Sequence, residues 1–145
     1  MIAALLLGYV IGTIPSADAI GHLRGHDLRS SGSGNPGTAN ALRVGGAGTA
    51  ALVLVLDLAK GATAALAGGA IAGDAGAAAA GVAAVAGQIL NPWFGFRGGK
   101  GLGVAGGMTL VVWPVGALFV IPIAAIGAKL LRASGGALVG LVAYL

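Results

Sequence analysis

From Ala47 to Leu90 charge occurs at only three positions, Asp57, Lys60 and Asp74. A segment this long and this apolar leaves few side chains with which to face water, and hydrocarbon admits its backbone only as helix. The rest of the chain follows suit: of 145 residues 57% are hydrophobic and 8% charged, with a mean hydropathy of +0.97. Eight basic and four acidic side chains cannot clothe a soluble domain of this size. The expectation is all-α, a polytopic integral membrane helix bundle with short helices and glycine-rich cytoplasmic loops.

The 29 glycines do not make a disordered chain, because they sit among Ala, Leu and Val, and disorder requires low hydrophobicity. Small residues let membrane helices approach closely; Gly69 with Gly73 and Gly136 with Gly140 have the required spacing, as chance alone would also supply. With no cysteine, disulfides, iron–sulfur clusters and thiol catalysis are excluded. Two histidines, His22 and His26, do not make a histidine-rich metal site, and neither metal nor cofactor is expected. Glutamate is absent and the four aspartates are scattered, which leaves no paired-carboxylate hydrolase. The net charge of +4 lies in short loops without interleaved aromatics, so it reads as membrane topology and anion binding, with no nucleic acid partner.

Ile2 to about Ile20 is the first expected span, near the ~20 residues that cross a ~30 Å hydrocarbon core. Ala17-Asp18-Ala19 resembles a cleavage site, but no Lys or Arg precedes the apolar run, as a signal peptide requires. His22 to Gly46 holds Arg24, Arg29 and Arg43 against Asp27, which places it in the cytoplasm and the N-terminus outside. Ala47 to about Ile71 is the second span. Its Asp57 and Lys60, three apart, share a helical face, either as a self-neutralising pair or in support of a site at the membrane edge. Asp74 lies in a short outer turn, and Ala75 to about Leu90 returns as a third span ended by Asn91-Pro92 and interfacial Trp93. Gly95 to Gly101 is then a second positive loop on the same side as the first. Splitting Val104 to Ala128 near Trp113-Pro114 returns Lys129 and Arg132 to the cytoplasm. Gly135 to Leu145 is about half a span, which suggests a truncated chain.

Two polar islands stand out: Gly32-Ser33-Gly34-Asn35-Pro36-Gly37 running into Asn40 and Arg43, and Arg97-Gly98-Gly99-Lys100-Gly101. Glycine leaves backbone N–H groups unshielded, and with fixed positive charge beside them the combination suits an oxyanion. The first formally matches G-x-G-x-x-G, but polar His26 to Ser31 is no strand and Asp57 falls inside a span, so the dinucleotide reading fails. The second is not a Walker loop, since Gly101 follows Lys100 where Ser or Thr would hold magnesium. An inter-helix turn with interfacial charges remains the plain alternative for the second island.

Ser33-Gly34-Asn35, Gly37, Asn40 and Arg43, then Asp57-Leu58 with Lys60-Gly61, then Gly87 and Phe96-Arg97-Gly98-Gly99-Lys100-Gly101 resemble the bacterial acyl-phosphate:glycerol-3-phosphate acyltransferases. Gly12, Ile14 and Pro15 fit as well, so the resemblance spans the chain in order. It implies one transmembrane acyltransferase-like domain over residues 1–145, in the bacterial inner membrane, multi-pass, with its active-site loops cytoplasmic. The implied reaction moves an acyl group from acyl phosphate to the 1-hydroxyl of glycerol 3-phosphate, giving lysophosphatidate and phosphate in phospholipid synthesis. The implied partners are those two substrates and the lipid bilayer.

Carried onto these residues, Ser33, Arg43 and Lys100 are the catalytic candidates. Gly34, Asn35, Gly37, Asn40, Arg97, Gly98, Gly99 and Gly101 are the substrate-binding ones, with Ser33, Asn35, Asn40 and the glycine N–H groups expected on phosphate oxygens. The chain departs from the family pattern in four places. Gln88 stands where His is usual, Thr38-Ala39 inverts the usual Ala-Thr, Pro36 replaces an aliphatic, and Leu102-Gly103-Val104 lacks a hydroxyl. The last spans of the family, with a third polar motif, are expected beyond Leu145. A catalytically silent relative and a small anion or phosphate transporter are the alternative readings.

Overall fold

A computed structural model describes residues 1–130. Regular structure among the described residues is helical: α1 (Ile2–Gly12), α2 (Ser16–Leu23), α3 (Thr38–Ile89), a 3-10 turn (Pro92–Phe94), α4 (Leu102–Val112) and α5 (Pro114–Leu130).

The first expected span proves to be two helices. Pro15 has no N–H to continue α1 and disfavours helical geometry at Ile14, so the chain breaks over Thr13 to Pro15 and restarts at Ser16. Hydropathy alone runs straight through this break, because the residues on both sides are apolar. α3 is likewise interrupted, at Gly46 (φ 74°) and at Ala72-Gly73 (Gly73 φ 63°), which gives three legs over 38–45, 47–71 and 74–89. The middle and last legs form a hairpin in the positions expected for the second and third spans. The break at Trp113, with Pro114 opening α5, is the expected split. Arg132 and the pair Gly136 and Gly140 lie outside the described residues.

Packing is inverted relative to a soluble protein. The buried clusters are mostly small: Ala17, Leu28, Ala41, Ala50 and Val53 between α2 and the start of α3, and Ala64, Ala84 and Val104 between α3 and α4. Large apolar side chains such as Leu6, Val10, Val55, Leu66 and Phe119 point outward, which is stable only against an apolar surround.

α1 buries Ala4, Gly8 and Gly12, one per turn. A Cβ on Gly8 or Gly12 would strike the main chain of Ala80 or Ala84 on the last leg of α3. The spacing read from sequence at Gly69 and Gly73 is not the close contact of the hairpin. Gly73 is the turn itself, and Gly68 faces Gly76 one position away.

Candidate active site

Among the described residues, two charged ones are buried inside the bundle. Asp57 and Lys60, on the middle leg of α3, are 4% and 6% exposed and form an ion pair of 3.1 Å. A bare pair at this depth would leave most of its hydrogen-bonding capacity unmet. Here the broken first span supplies partners: the Ser16 hydroxyl donates to Asp57 at 2.7 Å, and Lys60 donates to the Ile14 carbonyl at 2.9 Å. Lys60 also donates to Oε1 of Gln88, buried in the last turn of α3. Asn91 completes the set by donating to the Thr13 carbonyl at 2.8 Å.

The first island folds around Asn40. This buried side chain accepts from the Ser33 N–H at 2.8 Å and donates to the carbonyls of Leu28 (2.8 Å) and Ser31 (3.0 Å). Asn40 was expected to touch a phosphate; its amide is engaged at both ends within the loop, and it thereby shapes the first island. Ser33 and Arg43 are exposed, and Asn35 and Gly37 are partly so. Oδ1 of Asn35 is buried without a hydrogen-bond partner. Before the island, Asp27 accepts from the N–H groups of Arg29 and Ser30. Hydrogen bonds from the Ser30 hydroxyl and these N–H groups, aided by nearby His22, hold the Asp27 carboxyl below its usual range.

The second island is docked on the end of α3. Gly98 N–H donates to the Ile89 carbonyl at 2.9 Å and Gly99 N–H to the Gln88 carbonyl at 3.0 Å, which uses two carbonyls that a helix end leaves open. Arg29 clamps it from the other side. Its guanidinium forks onto Asp18 (2.6 and 3.1 Å), donates to the Arg97 carbonyl at 2.9 Å, and stacks 3.4 Å from the Phe94 ring centroid. Phe96 turns the chain with φ 62°, the one positive φ among the described non-glycine residues.

The islands meet. A Cβ on Gly99 would lie 2.9 Å from the Pro36 carbonyl and 3.7 Å from Oδ1 of Asn35, so only glycine lets the loops close on each other here. Beside this junction a cleft of about 180 Å³, open mouth included, is lined by Ser16, Asp18, Arg29, Gln88, Asn91 and Gly98 among others. Arg97 and Lys100 are exposed near it and Gly101 is buried.

The glycines serve differently from expectation. Gly34 and Gly37 N–H groups donate to the Ser31 and Asn35 carbonyls. With Gly98 and Gly99 engaged as above, four of the expected anion donors satisfy the loops' own carbonyls, as folded backbone away from water must.

Residues 2–145 match the family model described as glycerol-3-phosphate acyltransferase. The chain belongs to the glycerol-3-phosphate acyltransferase family. It is 40% identical over 120 residues to a glycerol-3-phosphate acyltransferase of Rhodopseudomonas palustris (strain BisB5), covering 81% of this chain and 61% of that one. A glycerol-3-phosphate acyltransferase of Exiguobacterium sibiricum is 43% identical over 116 residues, 79% of this chain and 56% of its own. The chain thus spans under two thirds of the length of these curated relatives. Among solved structures, PlsY (YgiH), an integral membrane glycerol 3-phosphate acyltransferase, in its glycerol 3-phosphate form aligns with TM-score 0.85 at 32% identity, over 98% of this chain and 72% of that one. Its lysophosphatidic acid form aligns with TM-score 0.77 at 26% identity, over 99% of this chain and 85% of that one.

The acyltransferase family reading of the fold therefore stands: the described residues form a helical bundle of the integral membrane kind. Sequence reading did not assign Ser16, Asp18, Arg29 or Asn91 to the site. Ser16 sits in an apolar helix and gave no signal. Arg29 was legible only as loop charge; its one sequence clue is its place four residues before Ser33.

Proposed function

We propose that this chain transfers a fatty acyl group from acyl phosphate to the 1-hydroxyl of glycerol 3-phosphate, at a bacterial inner membrane, with both glycine-rich loops facing the cytoplasm. The observation that carries the reading is the junction of the two loops at Gly99, Pro36 and Asn35, at one end of an apolar bundle. Family membership supports it. So do the forms of the solved relative, since glycerol 3-phosphate and lysophosphatidic acid are the acceptor and product of such a transfer.

Acyl phosphate is already activated, so the protein's task is to hold two anions together and to stabilise charge on the carbonyl oxygen and the leaving phosphate. The glycerol oxygen bonds to the acyl carbon, the bond from that carbon to the phosphate oxygen breaks, and the hydroxyl proton leaves on the phosphate. Arg43, Arg97 and Lys100 supply the compensating charge, arginine with a bidentate fork. The Ser33 hydroxyl and the Asn35 amide contact the substrates, and unpartnered Oδ1 of Asn35 suits a hydroxyl donor. Gly34, Gly37, Gly98, Gly99 and Gly101 allow the close backbone approach that brings these groups together, and Asn40 fixes the first loop. No described side chain accepts a proton from Ser33, so direct attack is favoured over a covalent intermediate.

The test is phosphate release and lysophosphatidate formation by purified chain in lipid, supplied with acyl phosphate and glycerol 3-phosphate. Arg43→Ala or Lys100→Ala is expected to lower turnover by about a hundredfold or more while membrane insertion is retained. Background phosphate release from the unaltered chain would sink the reading; full turnover by either variant would remove that residue from its role.

A further inference from the structure

We propose that Lys60 is a positioning residue for the Arg97–Gly101 loop, acting through Gln88. The inference rests on the function proposed above and adds to it a group that holds half of the site from inside the bundle without touching substrate.

Gln88 is the hinge of the arrangement. Its main-chain carbonyl accepts the Gly99 N–H, and the Cα of Gly99 packs so close to Nε2 that an added Cβ would lie 2.9 Å from it. The loop thus rests on Gln88 by both main chain and side chain. The side chain is in turn fixed by Lys60, whose ammonium donates to Oε1. Lys60 has no freedom to wander: Asp57 pairs with it at 3.1 Å and the Ile14 carbonyl accepts from it at 2.9 Å. Lys60 and Gln88 are each 6% exposed, so water cannot replace the bond cheaply if it is removed. Asp57 alone would account for a neutralising lysine. It does not account for the ammonium reaching 28 residues along the chain to a side chain on which the glycine loop is seated.

The chemical consequence is that the position of the second loop is set by a neutral amide accepting from a cation. Any side chain at 88 that offers an acceptor to Lys60 keeps the loop seated, and an apolar one of similar volume releases it while leaving the ion pair and the Ile14 contact intact.

The experiment is hydrogen–deuterium exchange of residues 97–101 in the full chain in lipid, together with steady-state kinetics. Gln88→Leu is expected to lower protection of the Gly99 amide at least about tenfold, with the exchange of residues 50–70 unchanged. In the same variant KM for glycerol 3-phosphate rises about tenfold and kcat falls less than about threefold. Gln88→Glu, which keeps an acceptor toward Lys60, is expected to restore protection. Lys60→Met combined with Gln88→Leu is expected to be no worse in loop protection than Gln88→Leu alone, because the Lys60–Gln88 bond through which Lys60 reaches the loop is already lost in the single variant. Unchanged loop protection in Gln88→Leu, or additive losses in the double variant, would overturn the proposal. If the unaltered chain shows no turnover, the exchange measurements still decide the positioning, so failure of the proposed reaction and failure of this inference are told apart.

Discussion

In the loop that leads to Arg43, one of its own side chains does the holding: Asn40 takes the Ser33 N–H and gives both its protons to the carbonyls of Leu28 and Ser31. The Arg97–Gly101 loop is held by groups that belong to other elements: the last carbonyls of α3, the guanidinium of Arg29 and the Gln88 amide. The difference follows from local sequence. The first loop runs directly into a helix and can be tied by a residue in that helix's first turn, whereas the second leaves a helix end whose open carbonyls invite the following glycines back. A self-tied loop fails as a unit when its one tie is cut; a docked loop loosens by degrees as each support is removed.

The sharpest way to break this contrast is Asn40→Ala. It leaves the Ser33 N–H and the buried Leu28 carbonyl without this partner and the Ser31 carbonyl with the Gly34 N–H alone, expected to cost roughly 2 kcal/mol and to lower turnover by about a hundredfold or more. Thermal unfolding in lipid and phosphate release check it; a variant within about threefold of the unaltered chain would show that the first loop has other ties. Next is Arg29→Lys, which keeps the charge near Asp18 but loses the fork and the planar stack on Phe94. It is expected to cost about 1–2 kcal/mol and to lower turnover around tenfold, mostly through KM, with first-loop exchange unaffected. Equal loosening of both loops would contradict separate support.

The smallest effect concerns Asp27. Its folded pKa is depressed, so its contribution is present above the unfolded value of 3.8 and is lost as pH falls through the lower folded value. Protection of the Arg29 and Ser30 amides, corrected for intrinsic rate, should therefore hold down to about pH 4 and decline below it, and Asp27→Ala should remove that dependence. A flat profile in the unaltered chain would deny the carboxylate its part in shaping the approach to the first loop.

The spans from Ala47 to Leu90 were legible because hydropathy alone separates them, and the break at Pro114 because proline cannot continue a helix. Pro15 should have been legible by the same rule, but an apolar run of spanning length concealed it. That Asp57 and Lys60 share a face follows from their spacing. Their partners Ser16, Ile14 and Gln88 do not, since they lie 41, 46 and 28 residues away and only the packed bundle brings them near. The loop contacts of Asn40 were hidden for a related reason: a polar residue beside glycines looks the same in sequence whether its amide faces a ligand or the loop itself.

The interruption at Thr13 to Pro15 usually counts against a membrane helix, since it strips carbonyls of their partners. Here the Ile14 oxygen, which the turn leaves with the Ser16 N–H as its main-chain partner, also faces Lys60, and a backbone dipole shares with Asp57 the work of a counter-ion. A proline on one helix thereby becomes a condition for keeping an ammonium group on another, and repairing the first helix would leave the cation poorly solvated.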